Sequence, residues 1–562
     1  MWRPLRPLAL AAAAAMFVTG TLAGTAAAAG PTVEINYQDP VTALPPIARP
    51  AAHGCTVTAM RHDFANSYGQ PFVGTLAPPK ECPGPWSKVV LDWSGSVAGR
   101  QYDRLAGVWI GGAEVFRTST PEPDPAGISW HVDQDLSAYI PLLRTPQPVV
   151  VDLGNIVNDT YTGVYHMTMT VTYYQADKHN PEAAHSDVVV PVSQSTSAPG
   201  WWGLTNGQTA SATVTLPRNT VDARMQVYAR GGGCEEFWYS NVPDSYAAAH
   251  PDYGLCGGGT YREVGVLVDG KPAGTAQPFP VVYTGGISPL MWRPIPSVDA
   301  FRTQPYEIDL TPFAGVLADG AAHTVTLVPP AGITDTWLLD GSLFVDTDRG
   351  SARTSGAVTE DTVTPSPAVD YKVATQPDGS DLITAALRRD WTVAGYVDTS
   401  HGRVYTRVVR HSEYSNSDDV ASAGTVQTTS QRDSGWTETT TTDGPGPGHR
   451  QARHDSWSYP IDAKSTFVPG ATSDSYTVTG QVSVARHLAT TRADHGSAFK
   501  ALSSVDDTVH AWGTLERDAG VVVAADGSDS ERYAGVEAGR CYGHFIAADH
   551  GYVTQDFRSG CR

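Results

Sequence analysis

Polar and apolar residues alternate along several stretches of the chain, which is the pattern of β-strands with one face in water. Met, Val and Tyr alternate with Thr over residues 167–173, and Ala, Val and Leu alternate with Ser and Thr over residues 210–216. Residues 474–486 continue the pattern in the last third. With 55 Gly and 41 Pro among 562 residues, the pattern predicts an all-β fold rich in turns.

The first two thirds of the chain contain a degenerate internal repeat. DRLAGVWIGG at residues 103–112 matches YREVGVLVDG at residues 261–270, and the stretch from Asp135 resembles the stretch from Asp309. The second copy has an insertion around QPFPVVYTGGISPLMWRP, residues 277–294. We therefore predict two tandem eight-stranded jelly-roll-type sandwiches, followed by a further β-rich C-terminal region.

Composition shifts suggest the boundaries of these parts. Arg3 and Arg6 precede an Ala-rich apolar run and a small-residue segment, which is typical of a signal peptide. The predicted parts are a signal peptide (1–29), an extended arm (30–50), a first β-sandwich domain (51–180), a second β-sandwich domain (185–350), a Thr/Ser/Pro-rich linker (351–368) and a C-terminal β-rich domain (369–562).

The charge and the cysteines restrict the function classes. The formal net charge of -20 argues against nucleic acid and anionic membranes as partners, and no stretch after the signal peptide is long and apolar enough to insert into a membrane. We expect a secreted, extracellular monomer.

Export makes disulfides plausible, and near-neighbour pairing is the simplest of the fifteen possible patterns: Cys55–Cys82, Cys234–Cys256 and Cys541–Cys561.

Common catalytic signatures are missing from the sequence. There is no HExxH, no CxxC pair, no GxSxG and no phosphate-binding glycine loop, and the 17 His residues lack ligand spacing. We therefore expect neither a metal nor a cofactor. The remaining candidates are carboxylates, arginines and aromatic residues beside glycine-rich turns.

Three clusters of such residues are candidates. Asp103 and Arg104 enter an otherwise apolar strand in GRQYDRLAGVWIGGAEVFR, where they form either a functional group or a fold-stabilising ion pair. In CEEFWYSN, the adjacent carboxylates Glu235 and Glu236 suit proton transfer and the aromatic residues after them suit stacking on a sugar. The alternative is an exposed acidic loop with core aromatic residues behind it. Asn155 in LGNIVNDTYTGVYH lies in a turn that is by itself unremarkable.

The chain resembles the peptide:N-glycosidase A family in and around these clusters, as a bacterial member. The stretches that carry the resemblance run from about residue 55 to 345 and include HDFANSYGQP, KVVLDW, GRQYDRLAGVWIGGAEVFRTSTPEPDPAGISW, LGNIVNDTYTGVYH, EFWYSNVP, REVGVLVDG, PFPVVYTGGISPLMWRPI and YEIDLTPF. A more distant likeness is to the peptide:N-glycosidase F type. That type has a third carboxylate near the position of Asn155, where this chain has no acid.

The resemblance implies a peptide-N4-(N-acetyl-β-glucosaminyl)asparagine amidase. Such an enzyme hydrolyses the amide between asparagine and the first N-acetylglucosamine of N-linked glycopeptides and glycoproteins, and leaves aspartate. On this basis the catalytic candidates are Asp103, Glu236 and Glu235. The substrate-binding candidates are Arg104, Asn155, Trp238, Tyr239, Arg262 and Trp292.

Two other functions fit the same residues. A tandem lectin without catalytic activity has the same kind of fold, because sandwiches carry both functions. A glycosidase that uses Asp103 and Glu236 would also need two carboxylates. Residues 369–562 are not expected to supply catalytic carboxylates, because the repeat and the family motifs both end near residue 350.

Overall fold

The computed structural model describes residues 36–560 except 196–197, 445–448, 496 and 538. Strands dominate these residues, which confirms the all-β class, and the longest helix among them, Asp244–Ala249, has six residues. None of the described helices is long and apolar enough to cross a membrane. The predicted signal peptide and Cys561 lie outside the described residues.

The first sandwich contains eight strands around an apolar core. They form two four-stranded antiparallel sheets with the orders β1-β8-β3-β6 and β2-β7-β4-β5. Trp93, Phe116 and Tyr165 fill the space between the sheets. The elements are β1 (Gly54–Phe64), β2 (Phe72–Leu76), β3 (Trp86–Val97), β4 (Leu105–Ile110), β5 (Ala113–Ser119), β6 (Ile128–Asp135), α1 (Ile140–Leu143), β7 (Gln147–Leu153) and β8 (Tyr165–Gln175).

The second sandwich repeats this strand order with one additional strand. Its sheets have the orders β10-β17-β12-β15, with β9 beside β17, and β11-β16-β13-β14. Adding nine to each strand number of the first sandwich gives the strand order of the second. Strand β4 is therefore equivalent to β13, as in the sequence repeat. The elements are β9 (Val188–Val192), β10 (Trp202–Leu204), β11 (Ala210–Val214), β12 (Thr220–Gly231), α2 (Asp244–Ala249), β13 (Val264–Val268), β14 (Lys271–Ala276), β15 (Tyr306–Asp309), α3 (Ala314–Leu317), β16 (His323–Val328) and β17 (Trp337–Thr347).

The last third forms one large antiparallel sheet of twelve strands. The strands of its long hairpins contain up to 20 residues each. The strands are β18 (Ser355–Asp361), β19 (Tyr371–Thr375), β20 (Asp381–Thr399), β21 (Gly402–Ala421), β22 (Val426–Thr442), β23 (Arg450–Ser458), β24 (Ile461–Pro469), β25 (Tyr476–Asp494), β26 (Lys500–Asp518), β27 (Val521–Glu537), β28 (Arg540–Asp549) and β29 (Tyr552–Ser559).

This C-terminal sheet shares a core with the second sandwich. Trp391 and Trp457 belong to the same buried cluster as Val266 and Trp337, and the Trp391 indole donates to Thr275 Oγ1 at 3.0 Å. The segment predicted as a linker, residues 351–368, contains β18, which pairs with β20. The domain limits drawn from sequence stay a prediction.

The N-terminal arm contacts both the first sandwich and the C-terminal sheet, and each sandwich contains one disulfide. In the arm, the Tyr37 backbone N–H donates to Asp124 of the first sandwich at 3.0 Å. The Gln38 N–H donates to the Gly551 carbonyl of the C-terminal sheet, also at 3.0 Å. The predicted disulfides Cys55–Cys82 and Cys234–Cys256 are present.

Candidate active site

Three carboxyl side chains converge where loops of the two sandwiches meet. Asp103 lies in the β3–β4 loop, and Glu236 lies in the equivalent β12–β13 loop. Glu122 lies in the β5–β6 loop, and Gly285 lies in the equivalent β14–β15 loop. The tandem repeat therefore brings the same two loop positions of each sandwich to one place.

Gly285 lies close to both Asp103 and Glu122. A Cβ atom at Gly285 would lie 2.6 Å from Asp103 Oδ1 and 2.8 Å from Glu122 Oε1, so a larger residue does not fit there. The Gly285 backbone N–H donates a hydrogen bond to Asp103, which favours the ionised form of this carboxyl group. Both carboxylates are thus held against one backbone segment.

An arginine links Glu236 to Asp103. Arg230, near the end of β12, donates from Nη2 to Glu236 Oε2 at 3.1 Å, and its guanidinium lies 4.7 Å from the centre of the Tyr283 ring. The charge of Arg230 also acts on Asp103. Glu236 keeps 15% of its side chain exposed, which leaves it within reach of a substrate.

A second arginine lies beside Glu122. Arg293 Nη2 is 3.5 Å from Glu122 Oε2, and the Arg293 guanidinium lies 4.9 Å from the centre of the Tyr37 ring in the N-terminal arm. The Tyr37 hydroxyl donates to the Glu122 carbonyl oxygen. Glu122 is also 15% exposed. The arm therefore closes one side of the site.

The surroundings shift the pKa of all three carboxyl groups upward. Burial raises the pKa of Glu236 to about 7 and that of Glu122 to about 8, against the opposing effect of Arg230 and Arg293 respectively. Burial also raises the pKa of Asp103, although Gly285, Arg230 and Arg104 favour its ionised form. Groups that titrate near neutral pH can accept and donate protons during a reaction.

Glu235 and Arg262 form a separate, fully buried ion pair. Arg262 donates from Nε and Nη2 to Glu235 at 2.6 and 2.9 Å, and the Trp337 indole donates to Glu235 at 2.8 Å. These contacts use both Glu235 oxygens, and neither side chain is exposed. The structure therefore places Glu235, a catalytic candidate from sequence, and Arg262, a substrate-binding candidate, in a closed ion pair next to Glu236.

The aromatic candidates are packed into the protein. Trp238, Tyr239 and Trp292 are almost fully buried, so their rings are not open for sugar stacking. The Trp292 indole donates to the Gly286 carbonyl at 2.9 Å and so supports the loop beside Asp103. Phe237 is partly exposed and lies against Gly286.

Asn155 and Arg104 also make intramolecular contacts. The Asn155 amide is buried and donates to the Phe64 and Gly163 carbonyls at 2.9 and 3.1 Å. The Arg104 guanidinium lies 3.4 Å from the centre of the Tyr102 ring. Asn155 orders the neighbouring turn, and Arg104 remains close enough to act on the charge of Asp103.

Sequence reasoning missed Glu122, Arg230 and Arg293. Glu122 stands between two prolines in the family stretch TSTPEPDPAGISW, and this rigid setting was the available signal. Arg293 lies in the insertion of the second copy, and Arg230 ends the apolar strand MQVYAR. Their proximity to Asp103 depends on tertiary structure alone.

Two groups of described residues have a spacing that could hold a cation. One is Asp526, Asp549 and His550, and the other is His53 with Cys55 and Cys82, whose sulfur atoms are joined in a disulfide. Neither group includes a residue of the carboxylate site.

Fold and site together define a tandem β-sandwich protein with a cluster of carboxyl groups at the junction of the sandwiches. Residues 45–364 match the model of the family peptide N-acetyl-beta-D-glucosaminyl asparaginase amidase A. Peptide-N4-(N-acetyl-beta-glucosaminyl)asparagine amidase A of Prunus dulcis is 35% identical over 407 residues, which are 69% of this chain and 70% of that protein. The chain belongs to this family, which confirms the resemblance and the enzyme class expected from sequence.

Solved structures give weaker matches. A structure of PNGF-II has a TM-score of 0.37 at 13% identity, over 52% of this chain and 65% of that one. PNGase F, a glycosylasparaginase from Flavobacterium meningosepticum, has a TM-score of 0.34 at 13% identity, over 52% of this chain and 96% of that one. The match thus spans slightly less than two thirds of PNGF-II.

Proposed function

We propose that this chain hydrolyses the amide between an asparagine side chain and the first N-acetylglucosamine of N-linked glycopeptides and glycoproteins. The observation that carries the proposal is the convergence of Asp103, Glu122 and Glu236 from equivalent loops of both sandwiches. Membership of an amidase family supports this reaction over a lectin or a glycosidase.

The three carboxyl groups suit the two proton transfers of amide hydrolysis. Asp103 is the candidate base for the attacking water, because a backbone N–H and two arginines favour its ionised form. The oxygen of that water bonds to the amide carbon, the C–N bond breaks, and a protonated carboxyl group supplies a proton to the leaving nitrogen. Glu236 and Glu122 are protonated at mildly acidic pH and can fill that role.

Arg230 is the candidate for stabilising negative charge on the amide oxygen. Its guanidinium lies between two carboxyl groups and is only 18% exposed, so its charge is weakly screened. The products are an aspartate side chain and a glycosylamine, which decays to the sugar and ammonia. In this proposal the chain itself supplies every catalytic group.

Export and a monomeric state belong to the same proposal. The disulfides Cys55–Cys82 and Cys234–Cys256 are typical of exported proteins. The negative net charge supports a substrate other than nucleic acid.

Mass analysis of a treated N-glycopeptide tests the reaction. Conversion of Asn to Asp with release of the whole glycan is expected, and Asp103→Asn should lower the rate about 10²-fold or more without unfolding the protein. Asp252→Asn, at an exposed carboxylate, is the matched control and should keep full activity. One retained N-acetylglucosamine would indicate an endoglycosidase, and an unchanged glycopeptide would indicate a lectin.

A further inference from the structure

A row of three glycines crosses the C-terminal sheet. Gly480 in β25 is paired with Gly513 in β26, which is paired with Gly527 in β27. Glycine in a strand interior weakens the strand and marks places where other backbone approaches closely. Three in register on adjacent strands leave a furrow without side chains across the sheet.

The furrow is filled by the 277–294 loop, the insertion in the second copy of the repeat. A Cβ atom at Gly527 would lie 2.3 Å from the Leu290 carbonyl oxygen, and one at Gly513 would lie 2.9 Å from the Met291 backbone nitrogen. A Cβ atom at Gly480 would lie 2.4 Å from Met291 Sδ. The first two contacts are with backbone, which cannot move aside as a side chain can.

The same loop contains a strained residue that the sheet holds in place. Ile287 has a φ of 63°, a left-handed conformation that β-branched residues rarely adopt. Such a conformation persists only where the surroundings impose it. The Ile287 side chain lies over Gly480, and after the loop the Ile295 N–H donates to Asp529 of β27 at 2.9 Å.

The loop carries the groups that hold the carboxylates of the site. Gly285 donates its N–H to Asp103, and Arg293 lies beside Glu122. Met291, at the bottom of the furrow, lies between these two residues in sequence. A shift of the loop on the sheet would therefore move both contacts together.

We propose that Gly513 and Gly527 are positioning residues for the amidase reaction, through which the C-terminal sheet sets the 277–294 loop against Asp103 and Glu122. This inference rests on the proposed function. It gives the last third of the chain a role in turnover although that third supplies none of the three carboxyl groups.

Alanine substitutions at the three glycines test the role. In Gly527→Ala and Gly513→Ala the new Cβ atom would clash with backbone atoms of the 277–294 loop and displace the loop. Both variants should lower kcat about 10- to 100-fold, because a displacement of about 1 Å can reduce the rate 10²-fold. Gly480→Ala presses on the ends of flexible side chains and should have a smaller effect. Gly265→Ala in β13 is the matched control, because its Cβ would meet no atom closer than 3.5 Å.

The pH profile separates positioning from a loss of stability. Displacement removes the Gly285 N–H from Asp103 and Arg293 from Glu122, and both contacts lower a pKa, so the profile should move to higher pH. The other charged groups that act on these carboxyls lie outside the loop: Arg104 and Arg230 at Asp103, and Arg100, Arg517 and Asp103 at Glu122. Gly265→Ala should leave the profile unchanged.

The outcomes are distinct from a failure of the proposed function. If the unaltered chain does not convert asparagine to aspartate, the proposed function fails. If the unaltered chain is active and folded Gly513→Ala and Gly527→Ala keep kcat within about twofold with an unmoved pH profile, the positioning role is wrong. Should one of these two variants not fold, the other decides. Should both not fold, Gly480→Ala decides: its Cβ still pushes Met291 and Ile287 of the loop, so a small loss of kcat with a profile moved to higher pH is expected, and a kcat and profile equal to those of Gly265→Ala overturn the role.

Discussion

Glu235 and Glu236 are neighbours in sequence but lie in different environments. Glu235 is sealed in a bidentate pair with Arg262 and accepts from the Trp337 indole. Glu236 points towards Arg230 and keeps contact with solvent. Because the first is saturated with hydrogen bonds and the second has a pKa of about 7, only Glu236 is suited to proton transfer.

Substitution of each glutamate should separate stability from activity. Glu236→Gln should lower kcat about 10²-fold with little loss of stability. Glu235→Gln leaves the buried Arg262 without its counter-charge and should lower the free energy of unfolding by about 3–5 kcal/mol. Urea unfolding and kcat, measured on both variants, check this. The assignment of roles is wrong if Glu235→Gln is stable but inactive.

The β12–β13 loop is a long connection that is constrained by a disulfide. It carries Glu236 and is closed by the Cys234–Cys256 disulfide, which joins residues 22 apart. The segment from β1 through β2 to the start of β3 is closed in a similar way by Cys55–Cys82, with a separation of 27, but contains none of the site residues.

Removing each disulfide should therefore cost similar stability and different activity. Replacing either pair by serine should lower the free energy of unfolding by about 3 kcal/mol, because the loops are of similar length. Only the Cys234/Cys256 variant should also lose kcat at temperatures where both variants are folded. Equal losses of kcat in the two variants would mean that the bridge does not position Glu236.

At the scale of the whole molecule, many buried carboxyl groups have a pKa raised by burial. The folded-state values are about 6 for Asp222, about 7 for Glu236, Asp418, Asp433 and Glu531, and about 8 for Glu122. A raised folded-state pKa means that the folded chain binds more protons than the unfolded chain between about pH 4 and these values. The stability of the fold therefore falls as the pH rises from about 4 to about 8.

We expect the Tm to be higher at pH 5.5 than at pH 8. Each kcal/mol of lost stability lowers the Tm of a unit of about 150–250 residues by about 2–4 °C, and of a larger unit by less. Glu122→Gln, which removes the group with the highest of these values, should reduce the difference between the two pH values. Thermal unfolding followed at both pH values measures this, and a Tm that rises towards pH 8 would contradict the expectation.

Much of the fold could be predicted from local pattern. Alternation of Thr with Met, Val and Tyr over residues 167–173 predicts a strand without knowledge of the strands beside it, and these residues lie in β8. The repeated motif at residues 103–112 and 261–270 correctly identified β4 and β13 as equivalent strands. The spacing of Cys55 with Cys82 and of Cys234 with Cys256 was enough to pair them.

The all-β class, the tandem arrangement and the motifs around Asp103 and Glu236 could be recognised from the chain alone, because period, repeat and motif are properties of short segments. The three-dimensional packing was needed to show that Glu122 and Arg230 join Asp103, that Glu235 pairs with Arg262 instead, and that the C-terminal sheet supports the 277–294 loop. These are contacts between residues tens to hundreds of positions apart. They depend on how whole sheets pack, and no local pattern in the chain encodes that packing.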